Sequence, residues 1–112
     1  MAIKFTSSPG FTRTVRKLMT EDEFTAFKAY IANHPTEGEV IPGTGGVSKI
    51  RWAVGAKGKR GGARFIYFYV TRAAIIYLLE VYTKSTKENL TNAERNEYKK
   101  LTAVIKRSHR RI

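Results

Sequence analysis

Two strand-like stretches separated by a basic, glycine-rich segment constrain the fold of this chain more than any other feature. Residues 47–54 alternate apolar with polar or basic side chains, which is the pattern of a strand with one buried face. Residues 63–70 are apolar on both faces, which predicts a central strand of a sheet. The segment that joins them, residues 55–62, holds four glycines and three cations. So short a connection favours antiparallel pairing of the two strands.

The same part of the chain concentrates positive charge and aromatic rings. Residues 45–69 contain no acidic residue but six basic ones, which are Lys49, Arg51, Lys57, Lys59, Arg60 and Arg64. Cations bind phosphate groups and rings stack on bases, so this stretch predicts a nucleic-acid surface. The whole chain has 21 Lys and Arg against 9 Asp and Glu, a net charge of +12. Such a surplus repels itself unless a polyanion or an acidic protein partner offsets it.

Capping signals and periodicity predict the remaining elements. Residues 2–6 alternate weakly and predict a short strand. Ser8 and Pro9 form a helix start, because serine caps a helix and proline fits its first turn. Thr20 and Thr91 each begin a capping box, with a glutamate three residues later, and predict two further helices.

The order of these elements predicts the fold class. The glycines and prolines of residues 36–46 predict a loop after the second helix, which is expected to end at His34. Residues 74–83 predict a third strand of the meander. The chain is therefore expected to be one domain over residues 1–112, with the order strand, helix, helix, three strands, helix. This is an α+β fold with a mostly antiparallel sheet and helices packed on it.

Composition excludes several function classes. The chain has no cysteine, which excludes disulfides and thiolate chemistry and fits a cytoplasmic protein. No apolar run approaches about 18 residues and the N-terminus lacks a signal-peptide core, so neither a membrane partner nor export is expected. His34 and His109 lie far apart with no third ligand in sight, so no metal site is predicted. Residues 55–62 lack the spacing of a nucleotide-binding phosphate loop, and no cofactor is expected.

Three motifs carry a resemblance to a known family. They are GTGGVSKIRW at residues 43–52, KGKRGGAR at residues 57–64, and Ile66-Tyr67 followed by Tyr77-Leu78-Leu79. In this order and spacing they resemble the RelE/HigB toxins of bacterial toxin–antitoxin systems, most closely the HigB-type branch, over nearly the whole chain. The resemblance implies a RelE-like, microbial-RNase-like fold. It also implies a toxin that cleaves mRNA in the ribosomal A site, and a cognate antitoxin that neutralises it.

The resemblance also implies the site residues. Lys49 and Arg51 match the two basic residues of the second family strand, and Arg64 matches the arginine that opens the next strand. Lys84 falls where the family carries a basic residue after the last strand. Leu90 lies near the place of a tyrosine that some members use, and no histidine stands there. Tyr82 and Lys87 are the possible substitutes, and the sequence does not choose between them.

Chemistry suggests roles for these side chains. RNA cleavage without a metal needs a base for the 2′-hydroxyl, a charge that stabilises the phosphorane, and an acid for the 5′ oxygen. Arginine stays protonated and cannot be the base, whereas a lysine can serve if neighbouring cations lower its pKa. Our hypothesis is that Arg64 binds the scissile phosphate and that Lys84 or Lys49 handles the proton. Further RNA contacts are expected from Lys57, Lys59, Arg60, Tyr82 as a stacking ring, and Lys87.

Three other interpretations of the sequence stay open. Glu80 is a possible acid or base, but a salt bridge to a nearby cation is the more common role of such a residue. A non-catalytic RNA- or ribosome-binding protein would have the same basic charge and aromatic residues. A DNA-binding module is less favoured, because no helix-turn-helix pattern stands out.

Overall fold

Eight helices and strands follow one another in the computed structural model, which describes residues 2–54 and 62–110. They are β1 (Lys4–Ser7), α1 (Pro9–Leu18), α2 (Glu21–Asn33), β2 (Glu39–Val40), β3 (Ser48–Trp52), β4 (Ala63–Val70), β5 (Ile75–Thr83) and α3 (Asn92–Ser108). No helix in these ranges is long and apolar enough to cross a membrane.

The strands form one sheet in the order β1-β5-β4-β3-β2. All neighbours pair antiparallel except β1, which runs parallel to β5. The α+β class, the antiparallel meander and the central place of β4 are confirmed. The loop predicted over residues 36–46 was wrong at β2, where Glu39 pairs with Lys49 and Val40 with Ser48. A strand of two residues has no periodicity by which the sequence could reveal it.

The predicted helix starts are confirmed in atomic detail. The Ser8 side chain accepts a hydrogen bond from the Phe11 N–H at 3.1 Å. Thr20 and Thr91 both form complete capping boxes, in which the threonine and the glutamate three residues later satisfy each other's backbone N–H. The second helix ends at His34, as expected from the proline that follows it.

Apolar side chains cover both faces of the sheet. Helices α1 and α2 pack on one face, where the rings of Phe27 and Phe65 stack with their centroids 4.1 Å apart. Helix α3 packs on the other face, where Ile105 joins Ile66 in a second cluster. Phe65 and Ile66 are successive residues of β4 and both are fully buried. This double burial explains why β4 has no polar face.

A β-bulge in β5 determines which side chains near the end of this strand lie on the α3 side of the sheet. Helix α3 covers only part of that side. Ile66 pairs with Glu80 but Tyr67 pairs with Leu78, so Leu79 is an extra residue in β5. Strict alternation from Tyr77 would place Lys84 on the opposite face, with α1. The extra residue instead turns Lys84 towards the α3 face. The Ser8 hydroxyl donates to the Leu79 carbonyl at 3.1 Å and ties the start of α1 to this bulge.

Candidate active site

Four basic side chains converge on one depression at the end of the sheet that α3 leaves open. Lys49 and Arg51 come from β3, Arg64 from β4, and Lys84 from the turn after β5. The depression has a volume of about 410 Å³, and its lining is Glu39, Lys49, Arg51, Arg64, Lys84, Glu88 and Asn89. All four side chains that the sequence singled out as catalytic therefore lie together. Their catalytic roles stay a prediction.

The two arginines of the depression occupy directly opposite positions on neighbouring strands. Like charges placed opposite each other in a sheet repel, and an anion between them relieves the repulsion. The Arg64 guanidinium is half-buried and donates to the Gly62 carbonyl at 3.3 Å, which fixes its direction. Arg51 is exposed beside it. The pair is suited to holding a phosphate with two planar sets of donors.

Two carboxylates and an amide also line the depression, and the sequence reasoning missed all three. Glu39 lies beside Lys49 on the neighbouring strand β2, while Glu88 and Asn89 lie on the segment before α3. The Lys49 ammonium donates to the Asn89 side-chain oxygen at 3.3 Å. Glu39 was overlooked because its strand was predicted as a loop. Glu88 and Asn89 lie in a polar segment whose sequence carries no signal of the direction its side chains take.

The segment that carries Lys84 is held by a polar network, here called the Lys87 network, of Glu80, Lys87, Glu94 and Tyr98. The Lys87 ammonium lies 2.5 Å from a carboxylate oxygen of Glu80 and 2.5 Å from one of Glu94. The Tyr98 hydroxyl donates to Glu80 at 2.6 Å. The network joins β5, the turn and α3. The salt bridge expected for Glu80 is confirmed.

The charges of this network set the direction of its pKa shifts. Burial alone would lower the pKa of Lys87, but its hydrogen bonds to Glu80 and Glu94 outweigh burial and raise it. The hydrogen bond from Lys87 lowers the pKa of Glu94, with help from the Thr91 backbone. Burial, then the hydrogen bond to Glu80, raises the pKa of Tyr98. The two carboxylate partners of Lys87 argue against its use as a base or as a phosphate contact, and both roles stay predictions.

The surroundings of Tyr82 argue against the stacking role expected of it. Its side chain is only 4% exposed and packs in the cluster that contains Leu90 and Ile105. The Lys87 ammonium lies 5.0 Å from its ring centroid, and its hydroxyl donates to the Glu88 carbonyl at 3.4 Å. Burial raises its pKa, which disfavours a role as base. The segment that follows β5 folds back over the Tyr82 ring.

The other residues considered in the sequence are the three cations of residues 55–62 and the two histidines. Lys57, Lys59 and Arg60 lie outside the described residues, and their contact with RNA stays a prediction. His109 contacts the Tyr77 hydroxyl through Nε2 at 2.9 Å, and His34 contacts the Tyr30 carbonyl through Nδ1 at 3.0 Å. Within residues 2–54 and 62–110, no three His, Asp or Glu side chains are grouped so as to hold a metal ion.

Comparison with protein families agrees with this fold. The family model for the RelE toxin of RelE/RelB toxin–antitoxin systems matches residues 8–111. The match spans both faces of the sheet, the bulge and the segment that carries Lys84. The chain therefore belongs to the RelE toxin family. It is the toxin component of a toxin–antitoxin system, and an antitoxin is its implied partner. The closer likeness to the HigB-type branch stays a prediction.

Proposed function

We propose that this toxin is a ribosome-dependent endoribonuclease that cleaves mRNA in the A site and so stops translation. One observation carries the proposal: Lys49, Arg51, Arg64 and Lys84 line one depression although they come from two strands and a turn. RNA presents a phosphate at every nucleotide, and a cluster of cations at an open sheet end is suited to binding one of them. Membership of the RelE toxin family supports the same activity.

The two arginines hold the scissile phosphate in this proposal. When the 2′-hydroxyl attacks the phosphorus, negative charge grows on the equatorial oxygens of the pentavalent phosphorane. Fixed guanidinium donors that face those oxygens stabilise the charge without further reorganisation. Arg64, fixed by its bond to the Gly62 carbonyl, is the principal donor, and Arg51 is its exposed neighbour.

The carboxylates of the depression are better suited to be the base than the lysines considered from the sequence. A carboxylate is ionised near neutral pH and can accept the proton of the 2′-hydroxyl, which a protonated lysine or arginine cannot do. Glu88 and Glu39 both line the depression. Lys84 or Lys49 then gives a proton to the departing 5′ oxygen. The products are an RNA with a 2′,3′-cyclic phosphate and an RNA with a free 5′-hydroxyl.

The test is cleavage of an mRNA by the purified protein, with and without programmed ribosomes. We expect cleavage only with ribosomes, a 2′,3′-cyclic phosphate on the upstream product, and no cleavage where a 2′-deoxy nucleotide replaces the attacking one. Cleavage of free RNA would show that the protein is a nuclease that does not require the ribosome. Ribosome binding without cleavage would instead show that the protein is a non-catalytic RNA-binding protein.

A further inference from the structure

A second cavity, here called the side pocket, opens next to the depression. It has a volume of about 260 Å³, and its lining is Glu39, Val40, Ile41, Pro42, Lys49, Tyr82, Asn89, Leu90 and Arg95. Glu39, Lys49 and Asn89 line both cavities. The contact between Lys49 and Asn89 stands at their common border. A ligand that binds in the depression can therefore extend directly into the side pocket.

One wall of the side pocket is apolar and incompletely covered. Val40 is 60% exposed, an unusual amount for a valine beside a packed core, while Leu90 is buried behind it. Ile41 and Pro42 continue this wall. A flat ring that covered Val40 would remove apolar surface from water. A ligand with an apolar face is favoured over a small ion.

Two polar side chains that line the side pocket, Asn89 and Arg95, carry hydrogen-bond donors. A lysine ammonium only donates, so Asn89 must turn its amide oxygen towards Lys49, and its NH₂ group is left to donate elsewhere. The Nε–H of Arg95 is buried and has no hydrogen-bond partner among the described residues. A buried donor without a partner is costly. Arg95 lines the side pocket, so its guanidinium group is close to a ligand bound there.

From these features we infer that the side pocket binds the base of a nucleotide next to the scissile phosphate. A base combines an aromatic face for the Val40 wall with edge acceptors for Asn89 and Arg95 and edge donors for Glu39. A second phosphate fits less well, because it would leave the apolar wall uncovered and would lie close to the Glu39 carboxylate. The inference rests on the proposed function, which places the scissile phosphate in the neighbouring depression. Asn89 and Arg95 are then the residues that select sequence.

NMR titration with single-stranded trinucleotides tests this directly. The probes carry 2′-deoxy sugars, so that they are not cleaved, and three analogues each lack one base. Binding is followed through the Asn89 side-chain amide and the Arg95 Nε–H signals. We expect one abasic analogue to bind the wild type about tenfold more weakly. Asn89→Ala and Arg95→Met should bind that analogue and the intact probe equally well.

Lys100→Met is the control variant, because Lys100 is 76% exposed on the outer side of α3 and its loss removes one charge without touching the pocket. It should keep the tenfold preference. The inference is overturned if the signals of Asn89 and Arg95 do not move, if no abasic analogue binds more weakly, or if the two variants keep the preference. Cleavage on programmed ribosomes with wild-type protein decides the proposed function separately.

Discussion

Lys84 and Lys87 are three residues apart and have opposite surroundings, so they are expected to contribute in different ways. Lys84 is exposed at the depression, whereas Lys87 is held between Glu80 and Glu94. The first offers its charge to a ligand and the second holds the turn in place. Their difference was invisible in the sequence, because both are lysines in one polar segment and the acids that hold Lys87 lie seven residues away on either side.

Removing the Lys87 charge should destabilise the fold. Lys87→Met leaves two partly buried carboxylates without their cation. The expected loss is about 1–2 kcal/mol, less than the roughly 3–5 kcal/mol of a fully buried pair, because these side chains are 23–36% exposed. Urea unfolding measures it. Lys100→Met, which removes an exposed lysine near Glu97, is the control and should leave the midpoint unchanged. Equal effects would contradict a structural role for Lys87.

The same pair predicts how stability depends on pH. Glu94 has a lowered pKa, so its contribution is present above the unfolded value of about 4.3 and is lost as the pH falls through the folded value. Lys87 has a raised pKa, so its contribution is present below about 10.4 and is lost as the pH rises through the folded value. The stability difference between wild type and Lys87→Met should therefore be constant near neutrality and shrink at both extremes. A difference that stayed constant at pH 2–3 would contradict the ion pair.

Two small departures from regular strands build the site at the scale of elements. The extra residue Leu79 turns Lys84 to the same face as Arg64, and the two-residue strand β2 brings Glu39 beside Lys49. Periodicity and capping predicted the long elements, because each of them repeats its signal over several residues. Neither signal could predict a bulge or a two-residue strand, since one extra residue or one pair of backbone contacts leaves no repeat in the sequence.

The loop before β3 should tolerate an added methyl group at one glycine much better than at another. Gly43 and Gly45 have φ values of 78° and 79°, so alanine is strained at both, at a cost of about 1–2 kcal/mol. A Cβ at Gly43 meets nothing within 4 Å, whereas one at Gly45 runs into the Thr102 hydroxyl of α3.

Because Thr102 is buried and donates to the Thr44 carbonyl at 2.9 Å, it has little room to move. Gly45→Ala should therefore be less stable than Gly43→Ala by a further 1–3 kcal/mol or so. Thermal or urea unfolding of the two variants gives the comparison. Equal stabilities would show that α3 does not pack against this loop as described.

The net charge of +12 acts at the scale of the whole molecule, since it attracts polyanions and makes their binding depend on salt. Composition alone indicated a polyanionic partner. Which cations contact such a partner depends on the fold, because nearby carboxylates pair with some of them, as they do with Lys87. The family resemblance indicated the four basic residues of the depression, three of them within its motifs and Lys84 by its place after the last strand. The covering of Tyr82 and the pairing of Lys87 arise from tertiary contacts that no short motif records.

Salt dependence should separate the two lysines of the turn. If Lys84 contacts a phosphate, Lys84→Gln should reduce the slope of log affinity against log salt concentration by about 0.7–0.9. Lys87→Met should leave that slope unchanged, because its charge already has protein partners. Binding of single-stranded RNA over a salt series measures both. A reduced slope for Lys87→Met alone would reverse the assignment.

The central claim is that RNA is cleaved in the depression at the open end of the sheet. Its most direct test is the single-turnover cleavage rate of A-site mRNA by Arg64→Ala. The control is Arg16→Ala, which removes an exposed arginine from α1 on the opposite face. The account predicts a loss of about 10²–10³-fold for Arg64→Ala with its fold intact, and a wild-type rate for Arg16→Ala. Cleavage by folded Arg64→Ala at the wild-type rate would contradict it.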